Sequence, residues 1–247
     1  MTKEPKVIAI TSGKGGTGKS SISYGIGYTL AKQGNRTLII ELDFGLRCLD
    51  IMFGLADTVK YDLGNVLKNH MQILEAVARV PATSNLEILC APKNAFMTVT
   101  AEQIVNICRS VRKYYDFIII DTGAGINSHV FDIVEQANLI LVITTPDPIC
   151  VRDATMMSDE FYRRGNKRQR LIINKVSPEV INNKMFNNLD EIIDAIGIQL
   201  IGVIPEDSML KEATGKGQPL PDDSPSLAVF NAISKRLTGE HAPLVIS

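Results

Sequence analysis

Short runs of β-branched and aliphatic residues recur along the chain, at Lys6–Thr11, Thr37–Leu42, Leu86–Cys90, Phe117–Asp121, Leu139–Thr144, Arg170–Asn174 and Leu200–Ile204, with helical patterning between them. Phe117-Ile118-Ile119-Ile120 and Leu139-Ile140-Leu141-Val142-Ile143 show no polar alternation at all. A strand that is apolar on both faces must be covered on both, which is the mark of a parallel sheet wrapped by helices. The pattern predicts an α/β fold: a mostly parallel twisted sheet of about seven or eight strands with helices on both faces.

Between the strands, Ile22, Ile26 and Leu30 fall four apart on one face, predicting a helix over Ser20–Gln33 that stops at Gly34. Thr100 and Gln103 make a capping-box pattern ahead of Ile104, Ile107 and Val111. Leu227, Phe230, Ile233 and Leu237 predict a last helix that closes the core rather than lying on a surface. There is no internal repeat, and no linker rich in Gly, Pro or Ser precedes the loop at Gly215–Pro225. All 247 residues are therefore expected to form one domain, 1–247.

Composition adds exclusions. With 26 Lys and Arg against 27 Asp and Glu, the formal charge of −1 leaves no dominant nucleic-acid footprint. Lys167, Arg168 and Arg170 form one small basic cluster, read as solvated surface. Cys48, Cys90, Cys108 and Cys150 are scattered without a C-x-x-C pair, which fits reduced thiols in the cytosol. His70, His129 and His241 lack metal-ligand spacing. No apolar run approaches the roughly 20 residues of a membrane-spanning helix, so a soluble chain is expected.

One segment carries explicit chemistry. Gly13-Lys14-Gly15-Gly16-Thr17-Gly18-Lys19-Ser20 fits G-x-x-x-x-G-K-[ST] between a predicted strand and a predicted helix, the place of the phosphate loop in a P-loop NTPase. Glycines let backbone N–H groups turn inward around phosphates, and the helix adds its positive N-terminal end. Lys19 is expected at the β and γ phosphates, the Ser20 hydroxyl on magnesium and Ser21 at the α phosphate, so the cofactors are ATP and Mg²⁺. Taken alone, Lys14 reads as a solvated loop lysine.

Acidic residues follow two of the apolar runs. Thr37-Leu38-Ile39-Ile40 leads into Glu41-Leu42-Asp43, and Phe117–Ile120 into Asp121-Thr122-Gly123-Ala124-Gly125. Ligands in such sheets sit beyond the carboxyl ends of the strands. Either aspartate could instead cap the next helix. Beside a phosphate loop, Asp43 is assigned to orienting the attacking water and Asp121 to the outer shell of the metal. Strand alternation puts Glu41 on the side of Asp43, so both are expected to face magnesium and water.

Ser12 to Ser21 resembles the deviant phosphate loop of the MinD/ParA family of ATPases, in which the early lysine reaches across a dimer to the partner's phosphates. The resemblance runs from about Val7 to Gly239. It takes in Asp43-Phe44-Gly45-Leu46-Arg47-Cys48-Leu49-Asp50, the family's first switch segment, as well as Tyr61–Val66, Thr144–Asp147, Val151–Ala154 and Ile201–Asp207. It implies that Lys14, Lys19 and Asp43 are catalytic and that Asn174 and Pro205 join the nucleotide site, Asn174 where such proteins read adenine. It also implies an ATP-dependent homodimer, MinD-like, that regulates where a bacterial cell divides, with regulatory partners of the MinC or MinE type. Without the resemblance, Asn174 is an ordinary strand-end turn residue.

Three features depart from the MinD pattern. Glu41 stands where an aspartate is usual, and Asp121–Gly125 is closer to the flagellar-number regulator FlhG. The residues after Gly239, interrupted by Pro243, are too few for the basic amphipathic helix with which MinD proteins bind membranes. The expectation is a cytoplasmic protein that reaches the inner face of the cell membrane, if at all, through a partner, unless a tail lies outside this sequence. Two related functions remain open: an FlhG-like flagellar regulator, and a ParA-like partition ATPase binding DNA non-specifically. An iron–sulfur electron-transfer ATPase is disfavoured because no cysteine lies within or just after Asp121–Ile126.

Overall fold

The computed structural model describes residues 5–68, 70–94, 97–126, 128–177 and 188–245. The described strands are β1 (Lys6–Thr11), β2 (Thr37–Glu41), β3 (Ala78–Arg79), β4 (Leu86–Leu89), β5 (Phe117–Asp121), β6 (Leu139–Thr144), β7 (Gln169–Val176) and β8 (Leu200–Pro205). They form one eight-stranded sheet in the order β3-β4-β2-β5-β1-β6-β7-β8. Every neighbouring pair is parallel except the two-residue β3 with β4.

Each central strand feeds two cores, because successive side chains leave on opposite faces. Ile39 of β2 and Ile119 of β5 join one cluster, while Leu38, Ile40, Ile118 and Ile120 join the other. This is why the runs read as continuously apolar.

The helices are α1 (Lys19–Lys32), α2 (Leu49–Met52), α3 (Leu63–Leu67), α4 (Ile73–Ala76), α5 (Ala101–Val111), α6 (Ser128–Val134), α7 (Pro148–Arg163), α8 (Leu189–Ile196), α9 (Ser208–Lys216) and α10 (Pro225–Thr238). α1 and α10 cover the first face, and α5 to α8 the second. The capping box at Thr100 and Gln103 opens α5 as the sequence predicts.

The last helix is a core helix, with Leu227, Phe230, Ile233 and Leu237 all buried. Each such side chain contributes about 1.5–3 kcal/mol by leaving water. Its fit against α1 depends on Gly25: a Cβ there would stand 2.2 Å from the Phe230 ring. The Thr29 and Ser234 hydroxyls, 2.6 Å apart, satisfy each other between the two helices.

The chain orders β4, then β5 between β2 and β1, then β6 on the far side of β1. That reversal leaves a crevice above the carboxyl end of β1, where open α/β sheets bind ligands. The loop joining β1 to α1 occupies it.

Two sequence-derived boundaries shift. β2 ends at Glu41, so Asp43 lies past the strand, and α9 runs to Lys216 with α10 starting at Pro225, which narrows the intervening loop to 217–224. Asp207 holds that loop: one carboxylate oxygen caps α9 at Met209 and Leu210, and the other accepts from the Ser224 hydroxyl and the Ser226 N–H.

Candidate nucleotide site

The loop over 13–18 is shaped by its glycines. Gly16 and Gly18 take φ of +80° and +93°, and Gly18 is the N-cap of α1 with no side-chain cap bond. Left-handed backbone at these two positions is open to glycine and strained for other residues. Gly13 has no space for a side chain, since a Cβ would lie 2.7 Å from that of Asp153. Lys14, Gly15 and Gly16 form the exposed rim, whereas Thr17 and Lys19 are buried and Ser20 and Ser21 are half-buried in the first turn of α1. The first amides of α1 have no intrahelical partner and carry the positive end of its dipole.

Beneath the loop, Lys19 Nζ donates to the Ser12 hydroxyl at 3.2 Å, and that hydroxyl donates to the Lys14 carbonyl at 2.8 Å. Burial lowers the Lys19 pKa, and the charges of Asp121 and Asp43 oppose the shift. Asp121 is wholly buried beside the Ser20 and Ser23 hydroxyls, neither of which makes a hydrogen bond of good geometry to its carboxylate. Burial raises its pKa to about 7, against the nearby Ser20 hydroxyl and Lys19. A buried carboxylate left in this condition is costly unless it holds a proton or gains a cation. Ser20 and Asp121 therefore present oxygen donors that fit a hard divalent ion.

Asp43 is half-buried and faces the loop after β5; a Cβ on Gly123 would stand 3.8 Å from its Oδ1. Burial raises its pKa, and Lys19 opposes the rise. Asn174, buried at the end of β7, donates from Nδ2 to the Thr17 carbonyl at 2.7 Å. Pro205 ends β8 in register with Val176. The strand ends thus bring Lys19, Ser20, Asp43, Asp121 and Asn174 to one crevice, with Pro205 on its β8 side.

Glu41 corrects the sequence reading. Its Oε1 accepts from the N–H groups of Cys48 and Leu49 at 2.7 and 3.0 Å, and its Oε2 from Ala91 N–H at 3.1 Å. Both oxygens are spent on backbone, so Glu41 anchors the segment after β2 to the end of β4 and is no partner of Asp43 toward metal. Alternation failed here because the strand stops at Glu41. Burial raises the Glu41 pKa against those three bonds. A second structural pair was missed: Arg47 and Asp50, buried and 2.5 Å apart, lock the same segment. Its trace in the sequence is the i, i+3 spacing of opposite charges.

A glycine-shaped loop between a parallel strand and a helix N-terminus, with a buried lysine at its base, suits a polyphosphate, and on this sheet it defines a P-loop nucleotide-binding protein. The CobQ/CobB/MinD/ParA nucleotide binding domain family matches residues 8–220. The septum site-determining protein MinD of Synechocystis sp. is 32% identical over 245 residues, covering 97% of this chain and 92% of that one. Among solved structures, the MinD cell division protein of Aquifex aeolicus superimposes with a TM-score of 0.87 at 28% identity, covering 98% of this chain and all of that one. The MinC:MinD cell division protein complex of the same organism gives 0.87 at 30%, covering 98% and 99%. The chain belongs to the MinD/ParA family of nucleotide-binding proteins, with septum site-determining MinD proteins as its relatives.

Proposed function

We propose that this chain is a magnesium-dependent ATPase acting as an ATP-driven dimerisation switch in placing the division septum. The observation that carries the reading is the wholly buried Asp121 beside Ser20 and Lys19, under a loop whose glycines open it to phosphate. The relatives' role in septum placement supports the process, and the solved MinC:MinD complex supports a regulatory partner of the MinC type. The reading places the protein in the cytoplasm; among the described residues no helix is long and apolar enough to cross a membrane.

Each role is assigned from position. Loop amides and Lys19 would take the phosphates, and Ser20 with Asp121 would hold the metal. Magnesium bound there would neutralise charge shared by the β and γ oxygens. Asp43 orients the attacking water beside Gly123, where phosphoryl transfer needs placement rather than a strong base. Asn174 and Pro205 flank the base. Lys14 sits on the exposed rim of the loop, which suits reach toward a second copy. Septum position is the test: cells whose only copy carries Lys19→Ala should misplace septa, and normal septa would overturn the reading.

A further inference from the structure

The far side of the phosphate loop is gripped by two consecutive residues. Asn174 Nδ2 donates to the Thr17 carbonyl and Lys175 Nζ to the Gly16 carbonyl, each at 2.7 Å. Strand neighbours ordinarily point to opposite faces. Here the register of β7 with β8 shifts between Ile173 and Val176. Lys175 has φ of +57°, and among the described residues it is the one non-glycine with positive φ. A bulge re-aims side chains, and this one brings both to the same loop. Gly18 leaves the room: a Cβ there would stand 2.2 Å from Asn174 Nδ2.

We propose that Asn174 and Lys175 are positioning residues that pin the phosphate loop, from outside, in its anion-binding shape before nucleotide arrives. The reason is peptide geometry. In a trans peptide the C=O of one residue and the N–H of the next point in opposite directions, and the structure has no cis bond among the described residues. Holding the Gly16 carbonyl outward aims the Thr17 N–H inward. Holding the Thr17 carbonyl outward aims the Gly18 N–H inward. Inward amides repel one another while the cradle lacks its anion, so the loop needs an external restraint to keep them converged. The ammonium contact also polarises its peptide, which makes the Thr17 N–H the stronger donor. The left-handed backbone of Lys175 is strain of the kind that persists where surrounding structure fixes it for a purpose.

The proposal rests on residues 13–20 being a phosphate loop, and the experiment keeps the two apart. Mg-ATP and pyrophosphate, which has no base, are titrated calorimetrically into wild type, Asn174→Ala, Lys175→Met, Lys175→Gly, Lys175→Arg and Lys19→Ala. Loss of Mg-ATP binding in Lys19→Ala upholds the loop; retained binding overturns that reading and the proposal with it, whereas the outcomes below overturn the proposal and leave the loop standing. Lys175→Met should weaken pyrophosphate about tenfold, on the order of one charge-assisted bond, and Asn174→Ala by about fivefold, on the order of one neutral bond; Lys175→Arg should restore most of the loss seen in Lys175→Met. Lys175→Gly should lose as much affinity as Lys175→Met while relieving the backbone, so its melting temperature should not fall.

The amide resonances of Thr17 and Gly18 in the nucleotide-free protein should move in both of the weakened variants. Any of three results overturns the proposal: loss of Mg-ATP but not of pyrophosphate affinity in Asn174→Ala, which makes it a base reader only; a Lys175→Met deficit that vanishes at about 0.5 M salt, which screens long-range attraction but not a local contact; or unchanged Thr17 and Gly18 resonances.

Discussion

Lys19 and Asp121 hold each other's charge at the floor of the phosphate loop. Burial drives the lysine toward neutrality and Asp121 is the largest force against it; burial drives the carboxyl toward its protonated form and Lys19 is among the groups that resist. A triphosphate takes over the lysine, and a divalent ion takes over the carboxylate. The two groups are therefore placed to meet the opposite charges of Mg-ATP.

Lys19→Ala should abolish ATP binding, because the loop's other contributions are neutral N–H groups. It should also leave Asp121 buried without its nearby cation. Calorimetric titration with Mg-ATP checks this, and wild-type affinity in the variant would end the phosphate-loop assignment.

Asp121 sets a pH dependence. Its pKa of about 7 lies above the ordinary 3.8, so folding favours the protonated form. The resulting stability is fully present below about pH 4 and is lost as pH rises through about 7. Metal binding needs the carboxylate and runs the other way. From about pH 4 to about pH 7 the nucleotide-free protein should melt at progressively lower temperature, while the magnesium-dependent part of ATP affinity should grow as the carboxylate ionises and level off above about pH 7. Asp121→Asn should flatten both profiles; flat profiles in wild type would contradict the assignment.

Asp43→Ala should bind Mg-ATP normally and hydrolyse it about a hundredfold more slowly, since a group that places the water is lost while the loop stays intact. Phosphate release at saturating ATP measures the rate. Normal turnover would give the water to another residue.

Glu41→Ala should destabilise the fold by about 3 kcal/mol, because two buried backbone N–H groups and one part-buried one lose their acceptor at once. Urea denaturation reads this. A change within about 0.5 kcal/mol, the range of a neutral surface substitution, would show that the segment after β2 is held by other means.

The contrast between Glu41 and Lys19 shows where sequence reasoning reaches. The phosphate loop is local: its glycines, lysine and serine act within eight consecutive positions flanked by a strand and a helix. The parallel sheet was legible for a related reason, since Phe117–Ile120 and Leu139–Ile143 had to be covered on both faces. Glu41 takes its role from amides at positions 48, 49 and 91, and no spacing rule announces partners at such distances. Asn174 was placed at the site by resemblance. Its neighbour Lys175 was not, because the bulge that turns both onto one loop arises from the register of β7 against β8. The two-residue β3 and the short α2, α3 and α4 are too brief to show a period.

The account turns on Lys14, which would act only between two chains. Lys14→Ala should bind nucleotide as a monomer yet fail to dimerise, since the phosphates of two facing sites repel unless a cation bridges them in a poorly hydrated interface. Light scattering of wild type and Lys14→Ala, at matched concentration with a slowly hydrolysed ATP analogue, reports mass directly. The account predicts twice the monomer mass for wild type and the monomer mass for the variant; a variant that dimerises as fully as wild type would contradict it.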